Sequence, residues 1–388
     1  MDKKPRAALL IAILITTLAL TTNQKKNNYI LPKIYYPMLC TPTAPDWVEE
    51  FKKMLQRENY PGFQLSIISN NGIITNCSAG WAKFSFPPQR MSNEHRIRYA
   101  SLTKIITSIE LYELLNENKI NLETPALAYL KIQQPAAPKD IRIENITVRD
   151  LAMHRSGFDR NASGDPMMHE NPWCPSNIEE IYNAKLDFNP GEYFSYSNLG
   201  YCILGSIIST IRKMETSDFL SKRLNNTIEK SSIKIIKKGE FYPDEPDYMT
   251  DPMESIQQLN SYNYESATAT GAWSGTAQDF NRFINNYFGK PHAELPNKIN
   301  EFLTPPPNCD SNRWRACHGL AFYAQTYSKD RIIYWRDGSL PGVTSIAMLT
   351  PDGTTIVFLA NSRPLDWMPA NDQIAQSIAG YILQEKAP

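Results

Sequence analysis

The sequence lacks the residue spacings that usually bind a metal ion. Its five histidines form no His-x-x-x-His string, and its six cysteines form no Cys-x-x-Cys pair. The adjacent Cys317 and His318 come nearest to such a motif, but two neighbouring residues are too few for a zinc site. We therefore predict no metal and no cofactor.

An excess of charge of either sign is also absent. Lysine and arginine together number 40, and aspartate and glutamate together also number 40, so the 388-residue chain has no formal net charge. Nucleic acids and strongly anionic membrane surfaces attract proteins largely through an excess of basic residues. The composition gives no electrostatic reason to expect either partner, and we predict no nucleic-acid binding.

The apolar run at the N-terminus is short for a membrane-spanning helix. Residues Ala7–Leu20 carry no charge and follow Lys3, Lys4 and Arg6. A spanning helix needs about 17 to 25 apolar residues, whereas a basic segment before a shorter apolar run is typical of a secretory signal. We interpret residues 1–24 as a signal peptide or an N-terminal anchor. We expect an exported protein, periplasmic or otherwise extracytoplasmic, and the sequence leaves open whether the segment is cleaved.

The six cysteines suit an oxidising compartment but are too few for a dense disulfide framework. Cys309 and Cys317 flank a short polar loop, so we expect a disulfide between them. Cys202 lies in the apolar run 201–208 and is interpreted as a buried free thiol. The other pairings stay open.

Strand patterns occur near both ends of the chain. After a proline-rich linker at residues 25–45, the segment 62–81 has strand patterns on both sides of an Asn-Asn-Gly turn, which predicts a β-hairpin. Four further strand patterns lie between residues 320 and 360, and the segment 374–383 predicts an amphipathic helix. The long segment between the two strand regions favours helices.

A single hairpin makes a poor sheet, so we predict that the early hairpin joins the late strands. The fold class is then α/β, in the mixed α+β sense: an antiparallel sheet flanked by helices, with an inserted all-helical subdomain. The predicted main domain spans residues 46–388, with a sheet subdomain of residues 46–97 and 310–388 and a helical subdomain of residues 98–309. An active site is expected where the two subdomains meet.

Ser101 and Lys104 form a Ser-x-x-Lys string where a helix is predicted to begin. Residues three apart on a helix face the same way, so the Lys104 amine can take the hydroxyl proton of Ser101. The positive end of the helix dipole also favours an alkoxide at Ser101. Such strings also arise by chance in a chain of this length, and Ser231 with Lys234 forms another.

Tyr196 and Asn198 distinguish the two Ser-x-x-Lys strings from each other. They form the only Tyr-x-Asn in the sequence, and it follows Ser101 but precedes Ser231. A tyrosine near two cations can approach its phenolate form and act as a base toward the serine, then as an acid toward the leaving group. Asn198 can orient the lysine and donate to a substrate carbonyl. The alternative is an aromatic core segment followed by a helix-capping asparagine.

The stretch from Arg336 to Ser339 suits the edge of a cleft. It lies at the end of a predicted strand, where Gly338 would allow the backbone to approach a ligand closely. The amide of Ser339 can join that of Ser101 in an oxyanion hole, an interaction worth roughly 2.7 to 4 kcal/mol per donor. The alternative is an ordinary strand and turn.

These elements together resemble the serine β-lactamase and penicillin-binding-protein superfamily, in its class C branch. The segments 101–104, 196–198 and 336–338 occur in the order of the three family motifs, and the resemblance covers roughly residues 46–385. It implies a β-lactamase/transpeptidase-like fold for the main domain. It also implies a covalent acyl-enzyme at Ser101, with Lys104 and Tyr196 moving protons.

The third motif departs from the family pattern of Lys or His, then Thr or Ser, then Gly. Arg336 keeps a positive charge that can clamp a substrate carboxylate, but it stays protonated and cannot move protons. Asp337 replaces a hydroxyl and should repel a carboxylate unless it pairs with Arg336. These changes argue against an efficient β-lactamase and favour an esterase, an unusual peptidase or a weakened enzyme.

Two hypotheses of different class follow. The first is an exported serine hydrolase that acts on D-peptide or cell-wall-like amides, in the manner of a D-alanyl-D-alanine carboxypeptidase or a β-lactamase, or on esters. Its partner is a small-molecule or peptide substrate, peptidoglycan-derived fragments included, and it meets a membrane only through an N-terminal anchor. The second hypothesis is a catalytically reduced binding protein that keeps the cleft. The presence of Ser101, Lys104, Tyr196 and Asn198 favours the first.

Overall fold

The early hairpin and the late strands form one antiparallel sheet. The computed structural model describes residues 31–132, 137–160, 163–250, 253–307, 309–328 and 331–383, so the segment predicted as a signal or anchor lies outside the described residues. The strands are β1 (Met38–Thr41), β2 (Gly62–Ile68), β3 (Ile74–Lys83), β4 (Gln89–Arg90), β5 (Ile97–Arg98), β6 (Lys234–Ile235), β7 (Trp273–Gly275), β8 (Tyr323–Ser328), β9 (Arg331–Leu340), β10 (Val343–Leu349) and β11 (Thr355–Ala360). The large sheet has the order β1-β3-β2-β11-β10-β9-β8, with β4 paired to β3. Leu65 of β2 lies opposite Phe358 of β11, which confirms the predicted union of the two ends.

Helices cover both faces of this sheet. They are α1 (Trp47–Arg57), α2 (Thr103–Asn116), α3 (Leu127–Leu130), α4 (Val148–Ala152), α5 (Asn198–Arg212), α6 (Thr216–Thr227), α7 (Ile256–Ser261), α8 (Ala277–Phe288), α9 (Asn297–Leu303) and α10 (Trp367–Ile382). Among the described residues, none of the helices has the length and apolar character needed to cross a membrane.

Helices α1 and α10 pack on one face of the large sheet. The apolar residues of α1 recur at spacings of three and four, which places Val48, Phe51 and Leu55 on one buried side. Phe51 meets the rings of Phe63 and Phe358 edge to face. This packing forms the first of two hydrophobic cores.

The opposite face carries α8 and the helical block. The buried side chain of Asn281 in α8 donates hydrogen bonds to the carbonyls of Ser66 and Thr355, on β2 and β11. Most regular elements of this block, residues 98–309, are helices, but it also contributes to a small antiparallel sheet of order β5-β7-β6, which the prediction of an all-helical subdomain did not include. Since Ile97 of β5 pairs with Gly275 of β7, this small sheet fixes the chain just before Ser101.

Three disulfides join the described cysteines: Cys40–Cys77, Cys174–Cys202 and Cys309–Cys317. The predicted bond between Cys309 and Cys317 is confirmed. The interpretation of Cys202 as a free thiol is wrong, because the apolar run around it is a helix that buries Cys202 against the loop carrying Cys174. Cys40 lies in β1 and its disulfide partner Cys77 lies opposite it in β3. Residues 38–41 are therefore part of the sheet and not of the predicted linker.

A buried ion pair holds the segment that leads to Ser101. Arg98 donates from Nε to Glu245 at 2.9 Å and from Nη1 to the Tyr264 hydroxyl at 2.8 Å. The exposed fractions of the Arg98 and Glu245 side chains are 0% and 1%. Removing one partner of such a pair leaves an uncompensated buried charge.

We expect Glu245→Gln to lower the free energy of unfolding by about 3 to 5 kcal/mol, the range for losing one member of a buried ion pair. The measurement is urea denaturation with the disulfides intact. Glu123→Gln is the control, because Glu123 pairs with Arg149 at a largely exposed position and should change the free energy of unfolding by less than about 1 kcal/mol. Equal effects of the two substitutions would contradict this account.

Candidate active site

Ser101 lies in a short turn that leads directly into helix α2. The turn is a 3-10 helix, Ala100–Leu102, so Ser101 stands just before the α-helix rather than in its first turn. Lys104 follows on the same side, with its Nζ donating to Ser101 Oγ at 3.3 Å and to the Thr270 carbonyl at 2.8 Å. Lys104 is fully buried.

Tyr196 completes the group around the Ser101 hydroxyl. It comes two residues before helix α5, whose N-cap is Ser197. The Tyr196 hydroxyl lies 2.6 Å from Ser101 Oγ, and Lys104 Nζ lies 5.1 Å from the centre of the Tyr196 ring. The structure therefore brings together the three residues predicted to carry the chemistry, from segments almost 100 positions apart.

Burial and charge bring the pKa values of Lys104 and Tyr196 close together. Burial lowers the pKa of Lys104 to about 8, with Tyr196 opposing and Arg336 reinforcing this shift. Burial alone would raise the pKa of Tyr196, but the charges of Lys104 and Arg336 outweigh it and lower that pKa to about 8. The two groups therefore titrate as a pair that can take the proton of Ser101.

Asn198 does not orient Lys104, so that prediction is wrong. Its side-chain Nδ2 donates to the Asp165 carboxylate at 2.7 Å, while its Oδ1 has no hydrogen-bond partner among the described residues. The Thr270 carbonyl binds the lysine instead. Asn198 still lines the cleft, and its predicted contact with a substrate carbonyl stays a prediction.

The Arg336 side chain lies beneath the nucleophile and not in the cleft. It is 1% exposed, and its Nε donates to the Ser101 carbonyl at 2.9 Å. Its Nη1 donates to the Ala321 carbonyl at 2.9 Å and faces His318 Nε2 at 3.0 Å. The prediction that Arg336 clamps a substrate carboxylate is therefore wrong, because protein acceptors occupy its guanidinium. It fixes the Ser101 backbone and supplies positive charge.

Asp337 pairs with Arg315, and the pairing with Arg336 that the sequence left open is not formed. Arg315 Nη1 and Nη2 reach the two carboxylate oxygens at 3.0 and 2.8 Å, and Asn371 Nδ2 donates to the second oxygen at 2.8 Å. Burial alone would raise the pKa of Asp337, but the charge of Arg315 and these hydrogen bonds lower it. Sequence reasoning missed Arg315 and Asn371, although the polar loop closed by Cys309 and Cys317 contains the first of them.

Strand β9 touches the backbone of Ser101 at Gly338. A Cβ atom at this glycine would lie 2.7 Å from the Ser101 nitrogen and 2.6 Å from the Tyr99 carbonyl oxygen. Only a residue without a side chain allows this approach. Gly338 and Ser339 both line the cleft, and the oxyanion hole formed by the amides of Ser101 and Ser339 stays a prediction.

The cleft in front of Ser101 has a volume of about 520 Å³. Its apolar lining includes Met167, Tyr262, Leu340 and Trp367. Among the described side chains, no group of three or more His, Cys, Asp or Glu residues is arranged to hold a metal ion. A pocket of this size can enclose a small peptide-like group beside the serine hydroxyl.

The Ser101 hydroxyl is hydrogen-bonded to a tyrosine and to a lysine, where the antiparallel sheet meets the helical block. This is the arrangement of a nucleophile in a serine hydrolase. The chain belongs to the Beta-lactamase family, whose model matches residues 47–379. The resemblance stated from the three motifs is thereby confirmed.

Known proteins similar to this chain include curated relatives and solved structures. The "Probable fimbrial assembly protein FimD, serogroup H1" of Dichelobacter nodosus is 29% identical over 371 residues, which are 90% of each chain. A D-amino acid amidase from Ochrobactrum anthropi SV3 superposes with a TM-score of 0.70 at 20% identity, covering 88% of this chain and 99% of that one. A beta-lactamase/D-alanine carboxypeptidase from Yersinia pestis has a TM-score of 0.71 at 18% identity, covering 87% and 97%. These two likenesses confirm the predicted fold class.

We expect kcat/KM for an aryl ester to rise with pH and to level off above about pH 8, because the Lys104–Tyr196 pair must lose one proton before it can accept that of Ser101. Arg336→Gln removes a charge that lowers both pKa values, so the midpoint should move to higher pH. Arg336→Lys keeps the charge and should retain the midpoint. The check is a pH profile of all three proteins, with thermal unfolding to compare their stability.

An unchanged midpoint in a folded Arg336→Gln protein would contradict the assigned electrostatic role. A midpoint that moves equally in Arg336→Lys would indicate a geometric effect rather than an effect of charge.

Proposed function

We propose that the protein is an exported serine hydrolase that forms an acyl-enzyme at Ser101 and acts on D-peptide or cell-wall-like amides. The observation that carries the proposal is the 2.6 Å contact between Ser101 Oγ and the Tyr196 hydroxyl. With Lys104 on the other side of the same oxygen, the serine has a route for its proton.

The reaction has two steps. In the first, Ser101 Oγ bonds to the substrate carbonyl carbon and gives its proton to the Lys104–Tyr196 pair. The carbon–nitrogen bond then breaks, and the pair returns the proton to the leaving amine. In the second, water attacks the Ser101 ester and passes a proton through the same pair to Ser101 Oγ, which releases a carboxylic acid. The predicted oxyanion hole would stabilise the negative oxygen in both steps.

Export is supported by the cysteines and by the N-terminal sequence. Every described cysteine is in a disulfide, which is the state expected in an oxidising compartment. The basic and apolar segment at residues 1–24 suits a signal peptide or an anchor. The proposed location is periplasmic or otherwise extracytoplasmic, with membrane contact only through this segment.

The proposed substrate class rests on the names of similar proteins. Two of the similar folds are named for a D-amino acid amidase and for a D-alanine carboxypeptidase, which points to amides of D-configured residues. The proposed partner is therefore a small molecule or peptide, peptidoglycan-derived fragments included. The relative named as a probable fimbrial assembly protein makes fimbrial assembly one proposed setting for such a hydrolase. An esterase of the same family and a binding protein with a weakened site are the alternatives.

We expect a fluorophosphonate to label the wild-type protein at Ser101, because its hydroxyl oxygen contacts both proton acceptors. Ser101→Ala should abolish the label, and Tyr196→Phe should slow labelling by at least about 100-fold, the usual contribution of a general base. Intact-mass and peptide mass spectrometry give the site and the rate. Ser231→Ala is the matched control, since Ser231 belongs to the other Ser-x-x-Lys string, and it should label like wild type.

The outcome distinguishes the alternatives. No label on the wild type would contradict a hydrolase and favour the binding protein. If Ser101 is labelled, turnover of a D-alanyl-D-alanine peptide, a chromogenic cephalosporin and a p-nitrophenyl ester separates a peptidase from a β-lactamase and an esterase.

A further inference from the structure

Three arginines line the described part of the cleft, and each is paired with a carboxylate of the protein itself. The pairs are Arg160–Asp165, Arg315–Asp337 and Arg363–Glu254. Each of these guanidiniums therefore already has a carboxylate partner, but Arg315 grips its partner with both terminal nitrogens, whereas Arg160 meets Asp165 through Nε alone and is 44% exposed.

The Arg315–Asp337 pair has the geometry of a substrate contact. Both terminal nitrogens of Arg315 meet the two oxygens of Asp337 side by side, at 3.0 and 2.8 Å. Parallel hydrogen bonds of this kind are how an arginine usually grips a free carboxylate. Asp337 thus occupies the donors that a substrate carboxylate would use.

The rest of the structure holds this pair in place. Arg315 also donates from Nε to Asp372 at 2.5 Å, and its guanidinium carbon lies 4.7 Å from the centre of the Trp335 ring. Asn371 donates to Asp337 at 2.8 Å, and Asp337 is only 7% exposed. A substrate anion would have to displace a buried carboxylate that has three hydrogen bonds of its own, which is costly.

The Arg315–Asp337 pair lies next to the residues that surround the scissile bond of a bound substrate. Asp337 directly precedes Gly338, where the strand touches the Ser101 nitrogen, and both residues line the cleft with Arg315. For a substrate that lies along this strand with its carbonyl at Ser101 and its leaving group on the side of Asp337, a carboxylate on that group would meet the Asp337 carboxylate. Because Asp337 already neutralises Arg315, a substrate carboxylate at this place finds no uncompensated positive charge there and lies against a second carboxylate.

We infer that the Arg315–Asp337 pair is a specificity determinant that excludes substrates with a free carboxylate beside the scissile bond. The inference rests on the proposed function and narrows it. The preferred substrates are amides or esters whose leaving group is neutral at this place, such as a peptide that continues beyond the cleaved bond or ends in an amide. A carboxypeptidase acting on a free C-terminus is disfavoured.

The test compares acetyl-D-alanyl-D-alanine with its C-terminal amide on the full protein. We expect the wild type to prefer the amide by at least tenfold in kcat/KM and, as a second readout, in competition against fluorophosphonate labelling of Ser101. Asp337→Ser should reduce this preference by at least tenfold, because it frees Arg315 for the substrate carboxylate. Arg315→Gln in the Asp337→Ser background should remove that improvement for the free acid.

Asp372→Asn is the matched control, because Asp372 bonds the same guanidinium but does not line the cleft. It should retain the wild-type preference for the amide. Equal use of both peptides by the wild type, or an unchanged preference in a folded, labelled Asp337→Ser protein, would overturn the inference and leave the proposed function standing. Failure of the wild type to label at Ser101 would instead overturn the proposed function, and the inference with it.

Discussion

Lys104 lies fully buried with its Nζ 3.3 Å from the Ser101 hydroxyl oxygen, and the rest of the site depends on this placement. A buried amine loses the hydration that favours its charged form, so its pKa falls to about 8. The Thr270 carbonyl and the Tyr196 ring partly compensate for that loss. The consequence is a base that can be neutral near physiological pH, in contact with the group that must lose a proton.

The surroundings of this amine contain a further positive charge, that of Arg336, and two histidines that do not compete with it for protons. Arg336 is buried beneath Ser101. Burial lowers the pKa of His154 and of His318 well below the usual value, and the positive charge of Arg336 lowers both further, so both rings stay neutral at physiological pH. Negative charge is therefore favoured on Tyr196 and on the oxygen that becomes anionic during acyl transfer.

The sequence was sufficient for the union of the two strand regions and for the residues that meet at the nucleophile. Ser101 and Tyr196 belong to short motifs, and the strand patterns at the two ends could be joined by sheet-pairing rules. The sequence left open a pair between Asp337 and Arg336, although strand geometry argues against it: the two residues are adjacent on a strand and so point to opposite faces. Arg315 could not be found, because it lies in an irregular loop whose position depends on tertiary contacts.

The shared titration of Lys104 and Tyr196 is the central claim, and nuclear magnetic resonance of tyrosine labelled with ¹³C at Cζ measures it directly. The Tyr196 resonance, identified by its loss in Tyr196→Phe, should shift with a midpoint near pH 8, about two units below an ordinary tyrosine. Lys104→Met removes the nearest positive charge and should move this midpoint upward. A Tyr196 midpoint at or above pH 10 in the wild-type protein would contradict the account.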